Sequence, residues 1–356
     1  MTPTSPYTRN YTRPMAIWLV ICAAMVFAMV LLGGATRLTD SGLSMVEWKP
    51  LTFTPPLSAE AWDAAFEAYK TSPEFQKENS WMEVADFKQI YWLEYLHRLW
   101  GRLIGIAFAV PFVWFLYKRA VDRPLAWRLG ILFILGGAQG ALGWFMVASG
   151  LVDRPDVSQY RLAAHLVAAL LLYAALIWTA LDLFKRLNPP PVNTDQGFAR
   201  LTGGVAAAVL LVMGSGAFVA GLDAGMIYNT FPLMDGRIIP PELYPTGLRA
   251  AFEDIKTVQF NHRVLAMGLV ALVIFTWVRA RRVPLGEPAR KLVHALLAVA
   301  LAQASLGVST LLTVVQLEVA LSHQAVALTL FTLALCLAHT AAAPRAAPAL
   351  FLKPAE

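Results

Sequence analysis

Charged residues and cysteines are both scarce in this 356-residue chain, and each shortage excludes a class of protein. Only 15% of the residues are charged, against about a quarter in soluble domains, and the mean hydropathy is +0.56. The two cysteines, Cys22 and Cys336, lie in apolar runs outside any Cys-x-x-Cys-His motif. The sequence therefore has no disulfide framework, thiolate metal cluster or covalent haem attachment, and it also lacks a Gly-rich phosphate loop. Composition indicates a membrane protein.

Eight apolar runs come close to the roughly 20 residues that a helix needs to cross a bilayer once flanking residues are added. They cover residues 15–32, 103–117, 129–147, 162–181, 201–220, 264–278, 292–315 and 319–338. The predicted fold class is therefore an all-α membrane protein with eight transmembrane helices.

Positive charge is concentrated in alternate connections between these runs. Lys and Arg gather in 9–13, 118–128, 185–200 and 279–291, whereas the long 34–93 loop on the opposite side is rich in acidic residues. Because cytoplasmic loops retain Lys and Arg during insertion, both termini should lie in the cytoplasm. The net charge of +6 then reflects membrane topology and gives no indication of nucleic-acid binding.

The chain repeats itself, with four apolar runs in each half. Three stretches match: Gly33 to Met45 with Gly216 to Met226, which share an Asp-x-Gly turn; Glu94-Tyr-Leu-His-Arg98 with Gln259-Phe-Asn-His-Arg263; and Gln139-Gly-Ala-Leu-Gly143 with Gln303-Ala-Ser-Leu-Gly307. The spans that follow open with His165 and His323. Because each half has an even number of crossings, a pseudo-two-fold axis along the membrane normal should relate the halves. We assign residues 1–187 and 199–356 to two four-helix halves, joined by a cytoplasmic linker over 188–198.

The long outer loop contains one amphipathic segment. Trp62, Phe66 and Tyr69 recur at helical spacing behind Ser58, which can act as an N-cap. The pattern predicts a short helix that lies at the membrane interface with its apolar face down. We interpret it as a lid that shields the region beneath it from water.

Four of the six histidines occupy matched positions near the outer starts of the even-numbered spans. Ionisable groups inside a membrane usually face a ligand or a partner, and imidazoles from two facing helices can bind a haem iron from both sides. The repeat therefore predicts two haem sites, His97 with His165 and His262 with His323. An isolated histidine could equally be hydrogen-bonded to a neighbouring helix. That structural interpretation is the one we favour for His294 and His339, which have no repeat partners.

Two arginines directly follow the paired histidines. Arg98 and Arg263 could hold haem propionates in fork geometry, or they could extend towards the lipid headgroups. Arg37 and Arg102 have the same two interpretations and no arginine at the matched positions.

The two halves differ at one position beside the histidines. Glu94 aligns with Gln259 and lies three residues before His97, so both side chains project from one face of a helix. A carboxylate can accept and return protons, whereas an amide cannot. This difference predicts chemistry in the amino-terminal half and a haem held as cofactor in the carboxy-terminal half; an exposed interfacial glutamate is the alternative.

The sequence resembles one family, the haem A synthases, which mature the haem of cytochrome c oxidases. The resemblance covers nearly the whole chain. Its most specific marks are Glu94-x-x-His97-Arg98, Asn261-His262-Arg263, Thr36-Arg-Leu-Thr-x-Ser-Gly42 and the spans of His165 and His323. It implies oxidation of a ring methyl of haem o, by successive hydroxylation and loss of water, to the formyl group of haem a.

The resemblance also implies roles and partners. His97 and His165 would bind haem o, His262 and His323 would bind haem b, and Glu94 would assist the oxidation. The implied location is the bacterial inner membrane, where the chain contacts membrane lipid and both haem sites lie towards the periplasm. A haem-farnesylating synthase would donate haem o and oxidase assembly factors would accept haem a. The electron donor is unassigned, and a homo-oligomer is left open. An outer-loop cysteine pair found in some members is missing, which places the chain in the proteobacterial and mitochondrial branch.

Two other functions remain open at the level of sequence. A di-haem electron-transfer subunit linked to quinol would use the same four histidines, but it would not explain the Glu94 and Gln259 difference. A haem carrier fits the doubled architecture, although four ligands at one depth do not form a path across the membrane.

Overall fold

The computed structural model describes residues 6–47, 54–151, 155, 157–187 and 195–342, with side chains from residue 10 onwards. Within these ranges the regular elements are helical. The α-helices are α1 Pro6–Leu38, α2 Ala59–Lys70, α3 Val84–Tyr117, α4 Arg123–Gly150, α5 Gln159–Leu187, α6 Gln196–Gly221, α7 Ala250–Glu253, α8 Ile255–Ala280, α9 Glu287–Leu312 and α10 Leu317–Ala341. A single π-helical turn covers Phe75–Asn79, and short 3₁₀ turns cover Ala224–Met226 and Gly247–Arg249.

Eight of these helices are long and apolar enough to span a membrane, namely α1, α3, α4, α5, α6, α8, α9 and α10. The prediction of a multi-pass, all-α protein with eight spans is thereby confirmed for the part of the chain that the structure describes.

Two boundaries differ from the sequence prediction. Helix α1 continues to Leu38 and α3 begins at Val84, so the first outer segment is 39–83 and the predicted bounds 34–93 are wrong. The start of α3 is polar and escapes a hydropathy criterion, but a capping box holds it: the backbone N–H of Glu83 donates to the Asp86 carboxylate at 3.1 Å. Most of the predicted linker, residues 188–194, lies outside the described residues, and α6 begins at Gln196.

Aspartate caps begin three of the spanning helices. The side chains of Asp122, Asp195 and Asp254 each accept a backbone N–H three residues later, at 2.9 Å in every case. Each cap satisfies one of the amide donors that a helix start leaves unpaired, which is worth about 1 kcal/mol.

The spanning helices form two rings of four. In the first, α1 contacts α3, α3 contacts α4, α4 contacts α5, and α5 closes on α1; in the second, α6, α8, α9 and α10 follow the same order. The rings meet where α5 packs against α6 and α10, and where α1 packs against α10. Fully buried side chains such as Leu170, Phe198 and Leu328 fill the core, and the Tyr173 hydroxyl lies 2.7 Å from Thr332 Oγ1 between α5 and α10.

The predicted amphipathic helix exists as α2, and Ser58 caps it by accepting the Ala61 N–H at 3.2 Å. Its apolar face, however, does not point towards the lipid as predicted. Trp62, Phe66 and Tyr69 are buried against the outer part of α3, with the ring centroids of Tyr69 and Phe87 5.1 Å apart. The aromatic residues of α3 therefore supply the apolar surface that the sequence prediction had assigned to the membrane.

Candidate functional site

The four matched histidines lie in pairs on facing helices near one end of the two rings. His97 on α3 interacts electrostatically with His165 on α5, and His262 on α8 interacts in the same way with His323 on α10. All four side chains are half-buried. The structure thus brings together the residues of each predicted pair, with one pair inside each ring of helices.

A glycine on a neighbouring helix packs against each imidazole. A Cβ atom added to Gly33 would lie 3.2 Å from the His97 ring; the corresponding distance is 3.2 Å from Gly143 to His165, 3.3 Å from Gly216 to His262 and 2.9 Å from Gly307 to His323. The Gly307 distance is shorter than real Cβ contacts essentially ever are, and the other three are shorter than nine in ten of them. Because glycine has no side chain, each of these positions allows an imidazole to pack closely against the neighbouring helix.

Polar side chains orient both histidines of the second ring. Ser215 Oγ lies 2.7 Å from Nδ1 of His262, and the amide nitrogen of Gln303 lies 3.1 Å from Nδ1 and 3.4 Å from Nε2 of His323. An imidazole that binds a metal through one nitrogen usually uses the other for such a contact.

Glu94 is buried and both of its oxygens accept hydrogen bonds. Oε2 accepts from Ser44 Oγ at 2.6 Å and from the Met45 backbone N–H at 2.8 Å. Oε1 accepts from Nε and Nη2 of Arg98 at 3.0 and 2.6 Å. The carboxylate therefore joins the outer segment after α1 to the helix that carries His97.

Gln259 occupies the matched place with reversed polarity. Its amide Nε2 donates to the carbonyl oxygens of Ala224 and Ile227, at 2.9 and 2.5 Å. Under the alignment of Asp40 with Asp223, Ile227 is the counterpart of Ser44. Each half therefore joins the segment after its first spanning helix to its second spanning helix. In the first half the helix residue accepts the hydrogen bonds, and in the second half it donates them.

The two arginines repeat this arrangement. Arg98 donates to the backbone carbonyls of Met45 and Glu47 as well as to Glu94, and Arg263 donates to the carbonyls of Tyr228 and Thr230. Arg263 differs in one respect, because its Nε–H is buried without an acceptor among the described residues. That donor is suited to a carboxylate of a bound group.

A second buried carboxyl lies in the outer segment. Glu74 is 3% exposed and accepts a hydrogen bond from the Tyr69 hydroxyl at 2.8 Å. Burial raises the pKa of the Glu74 carboxyl to about 7, and the negative charges of Glu94, Asp40 and Glu78 act in the same direction. Burial also raises the pKa of the Tyr69 hydroxyl. Glu74 thus places a second titratable group within electrostatic range of Glu94.

The remaining candidates have structural partners. His339 is buried at the other end of the spans, where Nε2 lies 2.9 Å from the Asp182 carboxylate, which also accepts from Arg128 at 2.7 Å. His294 accepts from Trp277 Nε1 at 3.0 Å. These contacts support the structural interpretation of both histidines.

The donor chemistry fits a haem better than a bare metal ion. Among the described residues, no group of three or more His, Cys, Asp or Glu side chains could hold a metal ion. Two neutral imidazoles on facing helices are instead a donor set suited to a haem iron. The contact of Ser215 with Nδ1 of His262 and the acceptor-free Arg263 Nε agree with this donor set.

Sequence reasoning missed Ser215, Ser44, Glu74 and the four glycines. The glycines lie in matched stretches of the repeat, Gly33 against Gly216 and Gly143 against Gly307, but the alignment does not show that they contact the histidines. Glu74 had no comparable signal, because its burial depends on the packing of α2 against α3.

The sequence was compared with known proteins. The family model of the cytochrome oxidase assembly protein, COX15-CtaA, matches residues 16–335. A haem A synthase of Nitrosospira multiformis is 52% identical over 331 residues, which cover 92% of this chain and 93% of the relative. A haem A synthase of Paramagnetospirillum magneticum is 48% identical, over 92% of this chain and 93% of the relative. One of Nitrosomonas eutropha is 46% identical, over 92% of this chain and 94% of the relative.

Proposed function

Because the chain belongs to the COX15-CtaA family of cytochrome oxidase assembly proteins, we propose that it has haem A synthase activity. It oxidises a ring methyl of haem o to the formyl group of haem a and so contributes to cytochrome oxidase assembly. The observation that carries this proposal is the pair of two-histidine sites, each with its imidazoles packed against glycines. The similarity to haem A synthases over more than nine-tenths of the chain supports it.

We assign the substrate to the first ring and the cofactor to the second. His97 and His165 bind haem o, whereas His262 and His323 hold a haem b that supplies redox chemistry when bound. The hydrogen bonds of Ser215 and Gln303 to the second pair support a fixed cofactor there. The acceptor-free Nε of Arg263 supports a propionate contact at the same site.

Glu94 acts beside the first site. Because Arg98, Ser44 and Met45 all donate to it, it aligns the helix of His97 with the outer segment. Its buried position allows it to stabilise positive charge that develops during oxidation. Arg98 already donates four of its five N–H groups within the protein. Its part in propionate binding is therefore a contact through the remaining N–H on Nη1.

The distribution of charge suggests where this reaction occurs. The basic connections indicate a cytoplasmic side, and the histidine pairs lie at the opposite end of the spans. We infer a bacterial inner-membrane protein with its haem sites towards the periplasm. Haem o comes from a haem-farnesylating synthase, and oxidase assembly factors receive haem a.

The decisive experiment is haem extraction from aerobic cells that make haem o. Cells with and without this chain are compared, and the extracted haems are identified by mass. Haem a should be found only in the cells that express the chain. Its absence despite good expression would refute the synthase proposal and would favour a di-haem electron-transfer subunit, provided that the purified protein still carried haem.

A further inference from the structure

The two rings differ at the residue that contacts the histidine of the second spanning helix. In the second ring, Ser215 of α6 lies 2.7 Å from Nδ1 of His262. The alignment of Asp40 with Asp223 places Leu32 of α1 at the same position in the first ring. A leucine side chain has no polar atom, so it cannot form the corresponding hydrogen bond with His97.

The two contacts of Ser215 favour one nitrogen of His262 as the metal ligand. The Ser215 hydroxyl also donates to the Val212 backbone carbonyl at 2.8 Å. A hydroxyl has a single hydrogen. Once Val212 accepts it, Ser215 Oγ can only accept a hydrogen bond from Nδ1–H of His262. The neutral imidazole then carries its proton on Nδ1 and keeps the lone pair of Nε2 for a metal.

The rings of the two histidines are also turned differently. The His262 atoms nearest to Gly216 are Cε1 and Nδ1, whereas the His97 atoms nearest to Gly33 are Nε2 and Cδ2. No hydrogen-bond partner of His97 is found among the described residues. The orientation that Ser215 imposes in the second ring is therefore not imposed in the first.

We propose that Ser215 is a positioning residue that makes the second site a site of permanent haem binding, and that Leu32 at the matched place leaves the first site exchangeable. This inference rests on the proposed function, because it takes His262 as an iron ligand. It supplies a physical reason for the division between cofactor and substrate, since only the substrate haem has to leave after each reaction.

A hydrogen bond to Nδ1 has two consequences that can be measured. It makes the imidazole a more basic ligand and holds it in place. The bound haem should therefore dissociate slowly, and its reduction potential should be lower than without the bond. Hydrogen bonds to the other nitrogen of a metal-binding imidazole typically change metal affinity by about 10- to 100-fold.

The test compares three variants of the full-length protein, purified with bound haem. Ser215→Ala removes the hydrogen bond, Ser215→Thr preserves a hydroxyl, and Leu32→Ser introduces one beside His97. Transfer of haem to apomyoglobin gives the dissociation rate, and a redox titration gives the potential of the retained haem. Neither measurement requires haem a to be formed, so both remain informative if the synthase activity is not found.

We expect Ser215→Ala to release its haem at least about tenfold faster and to raise the potential of that haem, with Ser215→Thr close to the unchanged protein. Leu32→Ser should retain additional haem in the first site and slow its exchange. If Ser215→Ala left both the release rate and the potential unchanged, the inference would be overturned. Should Ser215→Ala fail to fold, equal haem retention in Leu32→Ser and the unchanged protein would overturn it instead.

Discussion

Glu94 differs from its counterpart Gln259 in being a carboxylate rather than an amide, and in the structure both residues hold a neighbouring segment by hydrogen bonds. Glu94 accepts hydrogen bonds from Ser44 and Met45, whereas Gln259 donates to the carbonyls of Ala224 and Ile227. Each residue thus matches the polarity of the segment that it holds. The carboxylate is consequently a structural brace as well as the proposed aid to oxidation.

The two roles of Glu94 make one prediction. Glu94→Gln should abolish formation of haem a and also loosen the segment 41–47, because the amide nitrogen would face either the Ser44 and Met45 donors or those of Arg98, and the Arg98 ion pair would be lost. Breaking a buried ion pair costs about 3 kcal/mol. Haem analysis measures the first effect, and hydrogen exchange of the 41–47 amides measures the second.

Gln259→Glu provides the matched control. It should loosen the segment 224–230 by placing a carboxylate against two carbonyl oxygens, yet it should leave the first outer segment unchanged. If Glu94→Gln kept full conversion while its segment loosened, Glu94 would be a brace alone.

Sequence reasoning could predict the histidine pairs at the level of single residues, because the four histidines occupy matched positions of a repeat and polar groups are rare inside spans. It could not predict that Arg98 would be bound mainly to Met45, Glu47 and Glu94. Met45 and Glu47 belong to a segment about 50 residues away, whose path depends on tertiary packing.

Among the elements, α2 and the π-helical turn after it distinguish the first outer segment from the corresponding connection of the second ring, residues 222–254. Trp62 and Tyr69 pack on α3, and Asn79 Nδ2 donates to the Tyr69 hydroxyl at 2.8 Å. This packing buries the carboxyl of Glu74, which in turn accepts from Tyr69. We refer to residues 58–79 as the lid.

The lid should be sensitive to pH through Glu74. Its pKa is about 7 in the folded lid against an ordinary value of 4.5, so the folded lid retains a proton that the unfolded one releases between these values. The stability of the lid therefore falls as the pH rises through this window, by about 3 kcal/mol in total, and the loss is complete above about pH 7. Hydrogen exchange of residues 62–79 at about pH 5 and about pH 8, corrected for intrinsic rates, measures the change.

Two variants check the assignment to this carboxyl. Glu74→Gln should abolish the pH dependence, because its amide stays neutral, whereas Glu78→Gln, on the exposed side of the lid, should leave most of it. A pH dependence that persisted in Glu74→Gln would show that another group is responsible.

The existence of α2 and its Ser58 cap could be predicted from helical spacing alone. Its packing partner could not, because an apolar face has the same pattern whether it covers lipid or protein. Tyr91 and Tyr95 on the polar start of α3 provide that partner, and hydropathy did not identify this start as helical.

At the scale of the whole molecule, Arg37 joins the two halves at their outer ends. Its Nη2 donates to the Ala220 carbonyl and to the Asp223 carboxylate, both at 2.9 Å, and its Nη1 donates to Asp40 at the same distance. Asp40 and Asp223 are matched positions of the repeat, and Ala220 is the counterpart of Arg37 itself. A single arginine therefore neutralises two matched aspartates, which explains why it needs no counterpart.

Arg37→Ala should weaken the contact between α1 and α6. Because the two ion pairs are partly exposed, each is worth no more than about 1 kcal/mol, and the carbonyl contact adds about as much. We expect a lower thermal unfolding midpoint and faster hydrogen exchange at the ends of both helices. Asp40→Asn and Asp223→Asn should each reproduce part of the effect, and a change confined to α1 would argue against a bridge between halves.

The eight spans were predictable because apolar length alone determines them. The packing order within and between the halves was not, since several arrangements of eight helices bury the same apolar faces. It depends on close contacts such as that of Gln324 on α10, which donates to the Val30 carbonyl of α1 at 3.0 Å.

The central claim is that the first half converts a haem and the second half retains one. Its most direct test is the haem content of His97→Ala and His262→Ala, purified from cells that make haem o. We predict that His97→Ala keeps a stable haem b spectrum and forms no haem a, whereas His262→Ala loses that spectrum. Loss of the retained haem b in His97→Ala, with its persistence in His262→Ala, would contradict the account.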